Sequence, residues 1–144
     1  MTKTIRDDLV GFRRKNSLGA NEADAPIWMA QLGSFIMPLP NFKWRRGIID
    51  RHDAHHLLTG YPPTPLGELS LAAWELGAGC FKAWPAKLLC GILALLGLLS
   101  QPKATISAFK TGRQQALAYQ KLQDRDWLTM SLIDAHFFLE LSLK

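Results

Sequence analysis

The chain has 144 residues, 48% of them apolar and 20% charged, with 17 Lys/Arg against 12 Asp/Glu for a net charge of +5. That length suits a single domain with its own core, and the composition argues against a disordered chain, a low-complexity repeat or a disulfide scaffold. The two cysteines, Cys80 and Cys90, lie in apolar stretches without CxxC spacing and read as buried, reduced thiols. Charge is unevenly placed: residues 1–51 hold nine Lys/Arg against five Asp/Glu, a net of +4. A basic front third suits either an anionic partner or an ordinary solvated surface.

The periodicity predicts helices throughout and no sheet: an all-α, single compact domain of about six helices over residues 1–144. The first helix spans 3–15, with Ile5, Leu9 and Phe12 on one side. Its acids Asp7 and Asp8 and its lack of a long apolar stretch argue against a signal or transit peptide. A second helix is expected from an N-cap at Asp24, with Pro26 in its first turn, to about Met37, where Pro38 and Pro40 end it. The third runs from about Asn41 to Gly60, and Thr64-Pro65 caps a fourth that extends to about Gly79. The link Gly60-Tyr61-Pro62-Pro63-Thr64 is short and stiff, which favours two helices folded back on each other. Helices over about 86–99, 103–121 and 124–142 complete the domain.

The run Leu88 to Leu99 is twelve residues long, about 18 Å as a helix, and falls short of a bilayer core of about 30 Å. Its leucines, with Ile92 at the centre, cover one broad side and are expected to wall a tunnel for an apolar tail. Basic residues around Arg13, Arg14 and Lys15 are expected to rest on anionic headgroups. The protein is accordingly expected to be cytoplasmic and peripheral on a membrane. A central core helix is the other reading of the run.

Residues 48–75, IIDRHDAHHLLTGYPPTPLGELSLAAWE, carry the chemistry. On a helix His52 and His56 stand one above the other, within reach of one ion. Asp53 borders that face, and Glu68 follows twelve residues after His56, at the start of the returning helix. Steps of four back from His56 pass through His52, Ile48 and Trp44, so the candidate ligands continue an apolar stripe. Titratable groups on such a stripe are costly unless paired or metal-bound. Two imidazoles and two carboxylates suit one divalent metal between two consecutive helices, zinc first, with iron or manganese as alternatives.

His55 points elsewhere and reads as surface or as an outer partner of the site. Glu75, two turns beyond Glu68, reads as an extra ligand, as an acceptor orienting a histidine, or as the partner of a surface lysine. Lys43, Arg45, Arg46 and Arg51 form a basic cluster before the histidines that suits an anionic substrate group or else a solvated helix face, and Arg51 and Glu75 are the candidate substrate contacts. His136, amid apolar residues, reads as a hydrogen-bonded core or interface histidine rather than a ligand. Ser70 and the cysteines form no nucleophilic triad. There is no phosphate-cradling glycine loop and no pattern for nucleic acid.

The pattern His-Asp-x-x-His, eleven residues, then Glu resembles the signature of the Coq-four family of ubiquinone-biosynthesis proteins. It stands here as His52, Asp53, His56 and Glu68. Gly60, Gly67-Glu68, Trp74-Glu75 and the stretch AFKTGRQQALAYQKLQDRDW ending at Trp127 are similar to the same family, so the resemblance covers roughly residues 40–130. It implies an all-α fold with a metal, held by those four residues, under a hydrophobic groove for a long isoprenoid tail. It also implies contact with a membrane face and with other ubiquinone-biosynthesis enzymes. The activity it implies is removal of the ring carboxylate at C1 of a polyprenyl-hydroxybenzoate, with hydroxylation there. The rival expectation is a non-catalytic isoprenoid-binding or scaffold protein whose metal is structural.

Overall fold

A computed structural model describes residues 3–18, 25–32 and 35–140. The expected helical fold is present, with seven α-helices and one two-stranded sheet among the described residues. Helix α1 (Ile5–Lys15) starts at a capping box in which the Thr4 hydroxyl accepts from the Asp7 N–H while the Asp7 carboxylate accepts from the Thr4 N–H. It buries Ile5 and Leu9 and keeps its basic last turn at the end where the helix dipole favours cations.

The expected second helix is replaced by an antiparallel hairpin of β1 (Ile27–Leu32) and β2 (Phe35–Pro40), in register from Ile27 opposite Pro40 to Leu32 opposite Phe35. Pro38 and Pro40 lack an N–H, and a two-stranded ribbon tolerates them because each strand has a free edge. Asn41 closes the base of the hairpin, its side chain donating to the Ala25 carbonyl and its backbone N–H to that of Pro26. The expected cap at Asp24 lies outside the described residues.

The expected third helix is divided in two, α2 (Lys43–Arg46) and α3 (Ile49–Thr59), with Gly47 between them. Helix α3 ends at Gly60, whose φ of +76° lets its N–H return to the His56 carbonyl. Thr64 then caps α4 (Pro65–Ala78), with Pro65 at the first helical position. Helix α5 (Trp84–Ser100) and helix α6 (Pro102–Gln123) follow as a hairpin, and a 3-10 turn (Trp127–Thr129) leads into α7 (Leu132–Glu140). The closing helix is therefore shorter than the expected 124–142, whose last two positions lie outside the described residues.

Helix α4 is the centre of the molecule, packed against α6 on one side and α5 on another. A side chain at Gly112 would run into the backbone carbonyl of Trp74, so the axes of α4 and α6 approach as closely as glycine allows. Trp74, Tyr119 and Trp127 build an aromatic core beneath α3.

Helix α5 is the unexpected element. It buries Ala86, Cys90, Ala94 and Gly97, and leaves Leu88, Leu89, Ile92, Leu95, Leu96 and Leu99 exposed. The leucines therefore neither line an interior tunnel nor fill the core. No helix among the described residues is long and apolar enough to cross a membrane.

Candidate metal centre

The stiff link turns α4 back onto α3 and brings three side chains together. One ligand atom each from His52, His56 and Glu68 lies within 4.8 Å of the others. His52 Nε2 is 3.3 Å from Glu68 Oε2, and His56 Nε2 is 3.0 Å from Glu68 Oε1. The four-residue spacing aligns the imidazoles along α3, and their centroids are 5.1 Å apart.

The other edge of each ring is occupied. His52 Nδ1 donates to Glu75 Oε1 at 2.9 Å, and His56 Nδ1 donates to the Tyr61 carbonyl at 2.8 Å. A carboxylate and a carbonyl only accept, so both rings carry their hydrogen on Nδ1 and turn Nε2 toward Glu68. This is how ligating histidines are generally held, each by an outer acceptor. The His52 and Glu68 side chains are 31% and 34% exposed, so the cluster opens to solvent on one side, while that of His56 is buried.

Asp53 sits on the neighbouring edge of α3 and is engaged by α1. Arg13 bridges Asp53 Oδ2 and Asp50 Oδ1, each at 2.7 Å. The Arg13 guanidinium is thus committed to fixing α1 on α3 rather than free for a headgroup. Glu75 is buried and accepts from His52, from His55 Nδ1 at 2.7 Å and from the Cys90 thiol at 3.5 Å. Of the three readings of Glu75, the structure selects the acceptor that orients a histidine. The separate bond from its own Nδ1 to Glu75 Oε1 makes His55 an outer partner, not a surface residue. Sealed in the core, His55 accepts at Nε2 from the Tyr119 hydroxyl and stacks on Trp127 at 5.8 Å and 4°. Only the pairing of Trp74-Glu75 with a third histidine, one turn from the first, hinted at this in the sequence.

The charges agree with the geometry. Burial alone would push both carboxyls up. The hydrogen bonds and charge of His52 and His56 outweigh it at Glu68, and those of His52 and His55 at Glu75, so both are held at about 2. At His52 burial opposes the charged form, but Glu75 and Glu68 overcome it and raise the imidazole well above 6.5. At His55 burial prevails and lowers it. Without a metal, then, the His52 imidazolium stands between two carboxylates, its Nδ1 proton toward Glu75 and a second proton on Nε2 toward Glu68.

The remaining candidates lie apart from this cluster. Arg51 is exposed and borders a cavity of about 270 Å³ with Cys80, Phe81 and Lys82. Arg45 stacks over the Trp28 ring at 3.9 Å. Cys80 and Cys90 are buried and unpaired, as expected, and His136 is half-buried. The chain matches no protein-family model, no curated protein and no solved structure.

Proposed function

We propose that the chain is a metal-dependent protein of prenylated-quinone biosynthesis, acting at C1 of a polyprenyl-hydroxybenzoate precursor by oxidative decarboxylation. The observation that carries the metal reading is the convergence of two Nε2 atoms on one carboxylate, with both Nδ1 atoms already held. The substrate reading rests on the resemblance of the His52, Asp53, His56 and Glu68 pattern to the Coq-four family.

His52, His56 and Glu68 would hold one divalent ion. Two imidazoles and one carboxylate suit zinc, iron or manganese, and leave positions open toward solvent. A bound ion there supplies Lewis-acid polarisation of ring oxygens or of a substrate carboxylate. The chain's own residues do the positioning. Glu75 and the Tyr61 carbonyl fix the imidazoles. Arg13, through Asp53 and Asp50, keeps α3 seated on α1. Glu68, reached by solvent, is also placed to accept a proton from a substrate group. An open coordination position favours the catalytic reading over the scaffold with a closed, structural ion.

Metal titration by calorimetry and elemental analysis of chelator-free protein test the first half. One ion per chain is expected for the wild type, and none for His52→Ala/His56→Ala with helical circular dichroism retained. Absence of binding by the wild type sinks the metal reading. Mass spectrometry of a polyprenyl-hydroxybenzoate incubated with loaded protein tests the second half. An intact ring carboxylate under aerobic conditions leaves the scaffold reading.

A further inference from the structure

We propose that the outer face of the α5–α6 hairpin docks on an anionic lipid bilayer, lying in its surface. Three observations carry it, none of which involves the metal centre.

The first is the inversion of α5. Its small residues face the protein and its large ones face water, an arrangement that hydrophobic burial disfavours unless something covers the outer side. Seven large side chains from Leu88 to Leu99, Leu98 among them, are exposed, an apolar surface on the order of 600 Å², at the upper end for the largest patch of a monomer. The second is the further exposed apolar side chains of the same hairpin. Trp84 stands 72% exposed at one end of α5, and α6 adds Ile106, Phe109 and Leu117 on its own exposed side.

The third is charge. Between Glu75 and Asp124 the chain has no acidic residue, but it has Lys82, Lys87, Lys103, Lys110, Arg113 and Lys121, every one exposed. Residues 76–123 therefore carry +6. The rest of the chain, with 17 − 6 = 11 basic against 12 acidic residues, carries −1. All of the excess positive charge sits on this segment, five of its six cations on the hairpin that presents the leucines and Lys82 just before it.

That combination selects the occupant. A second copy would set +6 against +6, and a nucleic acid would pair the cations but leave the leucines in water. An anionic bilayer takes both: the apolar face enters the acyl boundary while the flanking cations meet headgroups. At 17 residues α5 is suited to lying in that boundary. The docking face is therefore the hairpin, not the basic front third expected from the sequence.

The test is vesicle co-sedimentation with phosphatidylcholine alone and with phosphatidylcholine containing phosphatidylglycerol, at low and high salt. Wild-type protein is expected on the anionic vesicles only, with binding weakened by salt. Ile92→Glu/Leu95→Glu and Lys103→Glu/Lys110→Glu should each reduce binding by about tenfold or more. Arg14→Glu, at an exposed position of α1, should leave it unchanged. All these substitutions are at exposed sites, so melting temperatures should stay close to wild type. The His52→Ala/His56→Ala protein should bind vesicles like wild type, which separates this proposal from the metal reading. Equal binding by the hairpin variants overturns it. So does a dimer, seen by sedimentation equilibrium without lipid, that Ile92→Glu/Leu95→Glu abolishes.

Discussion

Helices α4 and α5 are consecutive and both rich in Leu, Ala and Gly, yet they meet water in opposite ways. In α4 seven consecutive residues, Leu69 to Glu75, are buried, and at about 100° per residue they cover the whole circumference. In α5 the buried positions Ala86, Cys90, Ala94 and Gly97 are four, four and three apart, a single stripe. The apolarity of a run does not by itself decide whether it lies inside. The number of elements that surround it does, and the size of the residue at each contact shows which side is covered. In α4 the wholly buried surface also includes Glu75, which is tolerated because three donors meet its carboxylate.

The contrast can be broken at its strongest point. Gly112→Leu places a side chain against the Trp74 carbonyl, a backbone atom that cannot move without separating α4 from α6. The expected outcome is loss of the cooperative thermal transition, a destabilisation above about 4 kcal/mol. A Gly112→Leu protein melting like wild type would show that the two axes are not in contact.

Glu75→Ala is expected to have the next largest effect. It leaves the His52 and His55 Nδ1–H groups without their acceptor and should cost about 2–4 kcal/mol in urea unfolding. In protein that still folds, metal affinity should fall about 10- to 100-fold, because His52 loses the acceptor that fixes its ring. Glu75→Gln keeps an acceptor oxygen and should recover part of both. Unchanged affinity in Glu75→Ala would remove Glu75 from the metal centre.

Dependence on pH sharpens the comparison with a smaller effect. The stabilisation from raised His52 is complete below its ordinary 6.5 and is lost as pH climbs toward the folded value. Lowered His55 acts oppositely: below 6.5 the unfolded chain takes up a proton that the folded chain refuses. Glu68 and Glu75 add a further loss from 4.5 down to about 2. Metal-free protein should therefore be most stable near pH 6.5 and weaken on both sides, as urea midpoints across pH with a chelator would register. Bound metal replaces the proton on His52 and should flatten the alkaline limb.

Much of this was legible in the sequence. The spacing of His52 and His56, the stiff link after Gly60 and the Thr64-Pro65 cap are local signals, and they suffice to bring Glu68 to both imidazoles. The fate of Asp53 was not legible, because its neighbour Arg13 comes from 40 residues away. The hairpin at Ile27–Leu32 and Phe35–Pro40 is not legible from periodicity, because IWMAQL and FIMPLP are short apolar runs that fit helix and strand alike. The two residues between the runs, Gly33-Ser34, were the overlooked clue. In α5 the leucines do form one broad side, as their spacing implies, but spacing alone does not say that the small side is the one that is covered.

Glu75 accepts from His52 at the metal centre and from His55 in the interior with the same oxygen, and His55 lies flat against Trp127. Whatever draws on the Glu75 charge at one end alters the field across the indole at the other, with no helix having to move. A cation seated at His52 would accordingly be expected to change Trp127 emission, the effect passing through that single oxygen atom.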